Sequence, residues 1–499
     1  MPDAPHPRPN IVLILTDDHA AHSIGAYGSV VNETPRIDEI AREGVRFDNC
    51  FVTNSLCSPS RASILTGTYS HVNGVTTLFT PIDASQPTFI SQLKEAGYRT
   101  GIVGKWHMGE EPDANPKHFD YWDVLINQGE YHDPRFLSAD GIRHEPGYAT
   151  DVITDLAMKW VEGLDGDEPW CLLVWHKAPH RPWEPDEKHK DLYSDPIPLP
   201  STFWDDYDTR SASARRALMR IADYINSEDL KVDPPEGLDY EALALWKYQR
   251  YMEDYLRCVA SVDDNVGRLI DWLRERDEFD DTVLMYSSDQ GFFLGEHGWF
   301  DKRFMYEESL RMPLIMSYPR AVEAGTVHDG IVTNVDFAQT ILDAVGAEHH
   351  PRMQGRSFWG DLVGEPSSPP ADGMYYRYWE NDDWFHKAPA HYGYRDHRYK
   401  LICFYNKSLG LAGAGFFEYP VEWELYDLER DPEELRNVYG DPEYRDIRQR
   451  LSAKLAQAQA AVDDAPWDRA AVTGDDRFPV LARLTGAGGS NPAAPSVSR

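Results

Sequence analysis

Residues 10–19 read NIVLILTDDH, a continuous apolar run that ends in two aspartates and a histidine. A short apolar run without polar alternation predicts a strand that is buried on both faces, as in a parallel sheet. Asp17 and Asp18 would then lie at the carboxyl end of this strand. Open α/β sheets bind their ligands at that edge. The stretch therefore predicts both the class of fold and the place of a functional site.

Short apolar runs of the same kind recur along the chain. They lie at 100–104, 170–175, 282–286 and 313–316. Helical patterns lie between them, at 37–43, 88–96 and 255–275. Strands that alternate with helices imply a mainly parallel sheet with helices on both faces. We therefore predict an α/β fold for the larger part of the chain.

A chain of 499 residues is longer than one compact core usually permits. A proline-rich, linker-like segment near 364–370 divides a predicted catalytic domain, residues 1–365, from a smaller α+β domain, residues 366–484. The smaller domain is predicted to contain strands and one amphipathic helix, at 374–378, 398–405, 423–428 and 442–461.

Two further segments depart from the alternation of strands and helices. Residues 183–248 are rich in Pro, Asp and aromatic residues, and we interpret them as an insertion near the rim of the active site. Residues 485–499 are rich in Gly, Ala, Ser and Pro, and we predict that this tail is disordered.

Composition excludes several classes of function. The net charge of −34 argues against a nucleic-acid partner, because phosphate binding requires basic stripes that are absent here. No apolar run is long enough to span a bilayer, and residues 1–9 do not resemble a signal peptide. The five cysteines show no Cys-x-x-Cys pair and no disulfide spacing. These features predict a reduced, cytoplasmic setting. They do not indicate an oligomeric state.

Two acidic clusters occupy similar positions, far apart in the sequence. Asp17 and Asp18 end the first strand, and Asp289 and Gln290 follow the strand that ends near Ser288. Carboxylate and amide oxygens suit a hard divalent cation such as Ca²⁺ or Mg²⁺ better than zinc. Either cluster alone is also typical of a helix N-cap or of a turn at a strand end.

A second informative run, CSPSRASILTG, covers residues 57–67. Pro59 suits the first turn of a helix, residues 60–65 can continue it, and Gly67 can end it. Cys57 would lie at or just before the N-terminus of this helix, where the backbone dipole favours negative charge. Arg61, one turn onward, can project back over the same end. The alternative is a buried thiol beside a capped helix.

Residues 57–61 resemble the Cys-x-Pro-x-Arg signature of the type I sulfatases, which belong to the alkaline phosphatase superfamily. The resemblance implies that a formylglycine-generating enzyme converts Cys57 to formylglycine (3-oxoalanine), whose hydrated aldehyde attacks a sulfate ester. It also implies an alkaline phosphatase-like fold and a metal site, usually Ca²⁺, formed by Asp17, Asp18, Asp289, Gln290 and the modified residue 57. The family more often carries Asn where this chain has Gln290.

The resemblance extends to other site residues. Lys105 and His107, in Gly-Lys-Trp-His, match a family pair that binds sulfate and takes the second proton of the hydrated aldehyde. His180 and Lys302 match residues that contact the sulfate and assist the leaving alcohol. Arg61 would anchor the hydrated aldehyde. Lys177 and His297 lie nearby in the sequence and receive no role.

Finer features resemble bacterial N-acetylglucosamine-6-sulfatases and heparan- or mucin-desulfating enzymes. They lie at 303–311, 391–395 and 398–402. This resemblance implies a sulfated sugar or a small sulfated alcohol as substrate. Aromatic residues at 375–379 and 384–386 are a candidate substrate rim, with core packing as the alternative.

Three other functions remain open. The same modified residue could hydrolyse phosphonate monoesters or phosphodiesters, since tetrahedral oxyanions look alike to a metal and two lysines. The substrate could be a small aryl or alkyl sulfate. The chain could also be a non-catalytic calcium-binding protein in which Cys57 stays a thiol.

Overall fold

The computed structural model describes residues 8–166, 168–366 and 369–470. The predicted tail at 485–499 and the end of the predicted smaller domain, 471–484, lie outside these residues. Where the description applies, the predicted fold class is confirmed, because a large, mainly parallel sheet with flanking helices is followed by a small antiparallel sheet.

The described residues contain eighteen strands, which in chain order are β1 (Asn10–Thr16), β2 (Val45–Phe47), β3 (Cys50–Phe51), β4 (Arg99–Lys105), β5 (Tyr121–Leu125), β6 (Arg135–Ser138), β7 (Gly141–His144), β8 (Trp170–Trp175), β9 (Thr282–Ser288), β10 (Phe293–Leu294), β11 (Phe300–Asp301), β12 (Leu314–Ser317), β13 (Thr326–His328), β14 (Val332–Thr333), β15 (Met374–Tyr378), β16 (His391–Arg395), β17 (Tyr399–Phe404) and β18 (Glu422–Asp427).

The α-helices of the same residues are α1 (Pro35–Arg42), α2 (Cys57–Thr66), α3 (Ser70–Asn73), α4 (Phe89–Glu95), α5 (Ala149–Glu162), α6 (Ala212–Arg216), α7 (Ile221–Tyr224), α8 (Ser227–Leu230), α9 (Tyr240–Glu275), α10 (Glu307–Leu310), α11 (Phe337–Ala344), α12 (Trp359–Leu362), α13 (Arg445–Ala461) and α14 (Trp467–Ala470). In this part of the chain, no helix has both the length and the apolar character that crossing a bilayer requires.

The large sheet has ten strands in the order β13-β2-β12-β9-β1-β8-β4-β5-β6-β7. Its centre, β9-β1-β8-β4-β5, is parallel throughout, and antiparallel strands extend it on both sides. Apolar side chains of β1 alternate between two cores, one on each face of the sheet. This double burial is why residues 11–15 are continuously apolar.

Helix α9 is much longer than the predicted helix at 255–275, because it begins at Tyr240. The side chain of Asp239 accepts a hydrogen bond from the Ala242 amide at 2.8 Å and caps the helix. Tyr248, Tyr251 and Tyr255 fill its buried face in the first half. The predicted insertion at 183–248 therefore includes the first nine residues of this helix, whose aromatic core residues resemble an aromatic-rich loop in the sequence.

The small sheet has four antiparallel strands in the order β15-β16-β17-β18. Three of them match the predicted strands, and α13 matches the predicted helix. Strand β16 was not predicted, although all five of its residues are buried between β15 and β17. Its sequence, HYGYR, lacks the apolar alternation that predicts a half-buried strand. His391 is tolerated in the core because both of its ring nitrogens form hydrogen bonds there.

Candidate active site

The carboxyl ends of four parallel strands deliver the site residues to one edge of the large sheet. Leu15 of β1 pairs with Trp175 of β8, and Trp175 in turn pairs with Gly104 of β4. On the other side of β1, Thr16 pairs with Ser288 of β9. Because these strand ends are in register, the predicted site residues that follow them meet at the same edge.

Helix α2 places Cys57 at the same edge. Cys57 is its first residue, and all ten helical residues are buried. The helix ends at Gly67, whose φ is 62° and where a Cβ would lie 2.8 Å from Gln339 Oε1. A side chain there would therefore be strained and crowded. The predicted helix and its glycine end are confirmed.

Three carboxylates from β1 and β9 form the centre of the site. Oxygen atoms of Asp17, Asp18 and Asp289 lie within 4.8 Å of one another, and all three residues are buried. Cys57 Sγ donates to Asp17 Oδ1 at 3.3 Å. The predicted nucleophile therefore lies directly beside the predicted metal ligands, although they are separated by up to 232 positions in the sequence.

Gln290 lies against the same carboxylates. Its Nε2 donates to Asp18 Oδ1 at 2.5 Å. Its Oε1 is buried and has no hydrogen-bond partner among the described residues. A buried acceptor without a donor is costly, so this amide oxygen is available to a ligand beside the three carboxylates. The donor set of oxygens fits a hard divalent cation.

Burial and neighbouring charges together shift the pKa values of the three carboxyl groups. Burial acts to raise the pKa of Asp17, but Lys105, His180 and Arg61 hold it well below the usual range. Burial raises the pKa of Asp18 to about 6, and burial together with repulsion from Asp17 raises the pKa of Asp289 to about 8. Near neutral pH, added positive charge would therefore favour ionisation of Asp289 in particular.

Three basic side chains contact these acids. Arg61 Nε donates to Asp289 Oδ2 at 3.0 Å, and its Nη1 donates to the carbonyl of Lys105 at 2.7 Å. Lys105 Nζ contacts Asp17 and Gln128. Lys302 Nζ contacts both carboxylate oxygens of Asp18, at 2.6 and 2.8 Å. All three of the predicted basic side chains are thus buried at the site.

The two predicted histidines are both close to the cluster and neutral. Burial and the charge of Lys105 lower the pKa of His107 and of His180 well below the usual value. Nδ1 of His107 is buried without a partner in the described chain. His180 Nδ1 is 2.6 Å from the carbonyl of Arg181, so it carries the proton and leaves Nε2 as an acceptor, 3.8 Å from Asp18 Oδ2.

The site retains backbone strain. Asp18, His107, Asp301 and Arg303 have φ values of 69°, 52°, 77° and 90°. Residues other than glycine rarely adopt this left-handed region, and they do so mainly where the surrounding structure fixes them. Other non-glycine residues with positive φ lie elsewhere in the described chain, so strain of this kind is present at the site but is not confined to it.

A cavity of about 690 Å³ opens above Cys57. Its lining includes His107, Gln128, Lys177 and His180. The segment that was predicted as a rim insertion contributes a further part of the lining, through residues 226, 228 and 229. Arg181 Nε donates to Asp229 at 2.8 Å and attaches that segment to the loop that follows β8.

The cavity lining also contains Asp301 and Arg303, to which the sequence analysis gave no site role, and His386, which belongs to the candidate substrate rim at 384–386. Asp301 and Arg303 flank Lys302, and His386 comes from the C-terminal part of the chain. His386 Nε2 lies 3.3 Å from Asp301 Oδ2, and Arg303 donates to the hydroxyl of Tyr378 at 3.0 Å. Adjacency to Lys302 was an available signal for Asp301 and Arg303. The aromatic run at 384–386 was the signal that marked His386.

Lys177 and His297, which received no role from the sequence, lie in different places: only Lys177 is at the cavity. Lys177 lines the cavity, with its Nζ 4.7 Å above the Tyr131 ring. Burial and repulsion from Lys105 lower its pKa to about 8. His297 instead belongs to the core, where its Nδ1 contacts Asp205 at 2.9 Å and its ring packs against Trp299.

Comparison with known families agrees with this site. A family model described as Sulfatase matches residues 9–347, and one described as N-sulphoglucosamine sulphohydrolase, C-terminal, matches residues 295–461. The chain is 40% identical to an N-acetylglucosamine-6-O-sulfatase of Bacteroides thetaiotaomicron, over 92% of this chain and 87% of that protein. It is 25% identical to an arylsulfatase of Clostridium perfringens, over 88% of this chain and 92% of that protein.

Solved structures share the fold. A protein solved in complex with its substrate D-glucosamine-2-N,6-O-disulfate has a TM-score of 0.85 and 40% identity, covering 91% of this chain and 98% of its own. A phosphonate monoester hydrolase from Silicibacter pomeroyi has a TM-score of 0.70 and 22% identity, covering 91% of this chain and 95% of its own, which shows a common fold alone. The predicted alkaline phosphatase-like fold is confirmed. The chain belongs to the sulfatase family and is an enzyme that hydrolyses sulfate esters.

Proposed function

We propose that this sulfatase removes the 6-O-sulfate of a glucosamine-type sugar. Its nucleophile would be a formylglycine made from Cys57, beside a divalent cation, Ca²⁺ or Mg²⁺. The observation that carries the proposal is the meeting of Cys57 with Asp17, Asp18 and Asp289 below an open cavity. The sugar class is supported by the relatives that act on N-acetylglucosamine-6-sulfate and bind glucosamine disulfate.

The protonation of Cys57 supports its modification. Burial, with repulsion from Asp17, raises the pKa of the thiol far above its usual value. Since the thiolate is the reactive form of cysteine, the unmodified residue would be a poor nucleophile at neutral pH. A hydrated aldehyde at the same position would offer two hydroxyl groups. The sequence Cys-x-Pro-x-Arg is the pattern that a formylglycine-generating enzyme would recognise.

Asp17, Asp18, Asp289 and the free amide oxygen of Gln290 would hold the cation. A bound cation would lower the pKa of the attacking hydroxyl and polarise the sulfuryl oxygens. Its charge would also satisfy Asp18 and Asp289, whose pKa values are raised in its absence. Lys105 and Lys302, which now contact the carboxylates, would then be available to a sulfate group.

The side chains around residue 57 have separable roles. Arg61, fixed by Asp289 and by the carbonyl of Lys105, would orient the hydroxyl groups of the modified residue. Lys105, beside Asp17, and Lys302, beside Asp18, would stabilise negative charge that develops on the sulfuryl oxygens. Both lysines are buried, so water screens their charge weakly.

The neutral histidines would handle protons. Nδ1 of His107 is unpartnered and could accept the proton of the second hydroxyl when sulfate leaves. Nε2 of His180 is an acceptor in the tautomer that the contact of Nδ1 with a carbonyl implies, so His180 would protonate the leaving alcohol only after it gains a proton. Lys302 is the other group that could assist the leaving oxygen.

The part of the cavity lining formed by Asp301, Arg303 and His386 suits a sugar. Asp301, Arg303 and His386 present a carboxylate, a guanidinium and an imidazole to the same space as Cys57. These groups can donate to and accept from the hydroxyls of a pyranose ring. Because they line the cavity, their remaining hydrogen-bonding capacity could serve a sugar, whereas a small aryl or alkyl sulfate offers no hydroxyls to these groups.

A cytoplasmic location remains part of the proposal. The five cysteines are all buried thiols without a disulfide. Cell fractionation of the native host with an antibody to this protein would test it, and recovery in the culture medium or in the envelope would contradict it.

The decisive experiment combines mass spectrometry with turnover. The peptide that contains Cys57 should show replacement of the thiol by an aldehyde, and the protein should release sulfate from N-acetylglucosamine-6-sulfate faster than from its 3-sulfated isomer. An intact thiol in fully active protein would refute the formylglycine. A higher kcat/KM for an aryl phosphonate than for any sulfate would favour the phosphonate alternative.

A further inference from the structure

The five most exposed aromatic side chains of the described residues gather at the mouth of the catalytic cavity. We call this group the aromatic rim: Phe79, Trp384, Phe385, Phe416 and Phe417, with exposed fractions of 62%, 68%, 76%, 85% and 64%. Phe79, Trp384 and Phe385 line the cavity that contains Cys57. Phe416 packs edge-on against Trp384, with ring centroids 6.2 Å apart.

The other half of the predicted aromatic surface is different. Tyr375, Tyr376, Tyr378 and Trp379 are all buried, so the sequence expectation of core packing holds for them. Only the residues at 384–385 reach solvent beside the cavity. Exposed aromatic groups in one contiguous patch are unusual for a soluble protein and mark binding surfaces.

Buried polar side chains hold the backbone of the aromatic rim. The carboxylate of Asp383 accepts hydrogen bonds from the backbone amides of Phe385, His386 and Ala388, at 3.1, 2.8 and 3.2 Å. Asp383 is only 3% exposed. The turn that carries Trp384 and Phe385 is therefore fixed from within, while the two rings remain outside.

Two more buried residues join the separate segments. Glu380 accepts from the amide of Leu78 at 3.2 Å, next to Phe79. Asn381 donates to the carbonyl of Phe417 at 3.0 Å, and its own carbonyl accepts from Gly415 at 2.7 Å. Both are at most 1% exposed. Segments from three parts of the chain are thus fixed relative to one another before any ligand binds.

A close contact completes this arrangement. Gly413 has a φ of 80°, and a Cβ there would lie 2.3 Å from Cδ2 of Phe79. The ring of Phe79 therefore packs directly on the backbone of the loop that carries Phe416 and Phe417. Such a preorganised surface binds a rigid ligand at a small cost in conformational entropy.

We propose that the aromatic rim is a second sugar subsite, which binds the pyranose ring linked to the sulfated sugar in an oligosaccharide. The inference rests on the proposed function, because the sulfated sugar is taken to occupy the inner cavity. Aromatic faces stack on the apolar faces of sugar rings. The cavity volume of about 690 Å³ lies within the range of roughly 300–1,000 Å³ for drug-sized ligands, which leaves space beyond one ring.

Continuity with the active site favours a sugar over other occupants. Trp384 and Phe385 share the cavity with Cys57 and Lys302, so a molecule on the aromatic rim adjoins the scissile ester. A membrane is disfavoured by the net charge of −34, because anionic lipid surfaces repel acidic proteins. The adjacent hydrogen-bonding groups of Asp301, Arg303 and His386 also suit hydroxyls better than an apolar peptide.

The test compares two substrates in the mature enzyme. These are N-acetylglucosamine-6-sulfate and a disaccharide that carries the same sulfated sugar at its non-reducing end. For Trp384→Ala, the ratio of kcat/KM for the disaccharide to that for the monosaccharide should fall about 10-fold, the effect of one lost aromatic contact. Phe416→Ala should lower the ratio less, and Trp384→Phe should restore most of it.

Trp204→Ala is the matched control, because Trp204 is also exposed but lies outside the cavity lining. This variant should leave the ratio unchanged. An equal ratio in wild type and Trp384→Ala would overturn the inference, including the case in which the variant loses the same fraction of kcat/KM for both substrates.

Calorimetry with the unsulfated disaccharide separates this inference from the proposed function. Binding by wild type that weakens in Trp384→Ala would support the subsite even if the enzyme released sulfate from neither substrate. Absence of binding by wild type, or binding that is unchanged in the variant, would overturn it. Unchanged thermal unfolding of the variants would exclude a general loss of structure.

Discussion

The bottom and the mouth of the same cavity are built in opposite ways. The bottom, which we call the catalytic floor, consists of Asp17, Asp18, Cys57, Arg61, Asp289 and Lys302, and is buried, charged and carried mainly by strand ends and one helix. The aromatic rim is exposed, largely uncharged and carried by loops. On the two proposals above, the floor would carry out the chemistry and the mouth would select which sulfate ester reaches it.

Substitution of the nucleophile should give the largest effect. Cys57→Ser leaves one hydroxyl where the modified residue offers two, so no second hydroxyl remains to expel sulfate. We expect kcat to fall by at least about 1,000-fold, with substrate binding retained. Steady-state sulfate release and calorimetry would measure the two effects. Turnover near the wild-type rate would contradict the role of position 57.

A change in the metal cluster should have the next largest effect. Asp289→Asn removes one charged ligand and the carboxylate partner of Arg61, and should lower kcat/KM by about 100-fold or more. Its dependence on added Ca²⁺ should shift to higher concentration. Asp280→Asn, at the exposed other end of β9, is the control and should keep wild-type values. Equal Ca²⁺ dependence of the two variants would argue against Asp289 as a ligand.

The stability of metal-free protein should depend on pH. The folded-state pKa of Asp18 is about 6 and that of Asp289 about 8, both above the unfolded value near 4. These two carboxyl groups therefore bind more protons in the folded protein than in the unfolded chain between about pH 4 and pH 8. Their contribution to the stability of the metal-free protein should fall as pH rises through this window.

The measurement is the melting temperature with and without chelator at several pH values. The stabilisation by Ca²⁺ should grow from pH 5 to pH 8, by about 2 °C or more. In Asp289→Asn this growth should be smaller, because the more strongly perturbed carboxylate is absent. Stabilisation by Ca²⁺ that is independent of pH would contradict the assignment of these carboxylates to the cation site.

Most of the catalytic floor was predictable from sequence because its positions follow from strand geometry. A buried parallel strand must end at the ligand edge, so Asp17 and Asp289 could be placed together before any coordinates. The helix that begins at Cys57 was predicted from Pro59 and Gly67, whereas the roles of Cys57 and Arg61 were implied by the resemblance of Cys-x-Pro-x-Arg to the sulfatase signature. The limit appears at Gln290, whose free Oε1 could be recognised only once its neighbours were in place.

The mouth was less predictable because its residues meet through tertiary contacts. Nothing local distinguishes Trp384, which is exposed, from Trp379, which is buried five residues earlier. Asp383 decides the difference by fixing a turn, and its partners are backbone amides without a sequence signature. The start of α9 at Tyr240 was not predicted for a related reason, because a segment rich in tyrosine resembles an aromatic-rich loop in the sequence.

A glycine substitution offers the finest test of how the mouth is built. Gly413→Ala places a methyl group against the Phe79 ring, whereas Gly410→Ala, in the same loop, meets nothing within 4 Å. Both glycines have positive φ, 80° and 70°, so both variants carry similar backbone strain. The comparison therefore isolates the contact with Phe79.

We expect Gly413→Ala to raise the KM for the disaccharide about 3-fold relative to Gly410→Ala, because displacing one ring weakens a single aromatic contact. The kcat values of the two variants should agree, since neither residue touches the catalytic floor. Parallel thermal unfolding would show equal strain. A lower kcat in Gly413→Ala alone would mean that the aromatic rim and the catalytic floor are coupled, and that the division between chemistry and selection is incomplete.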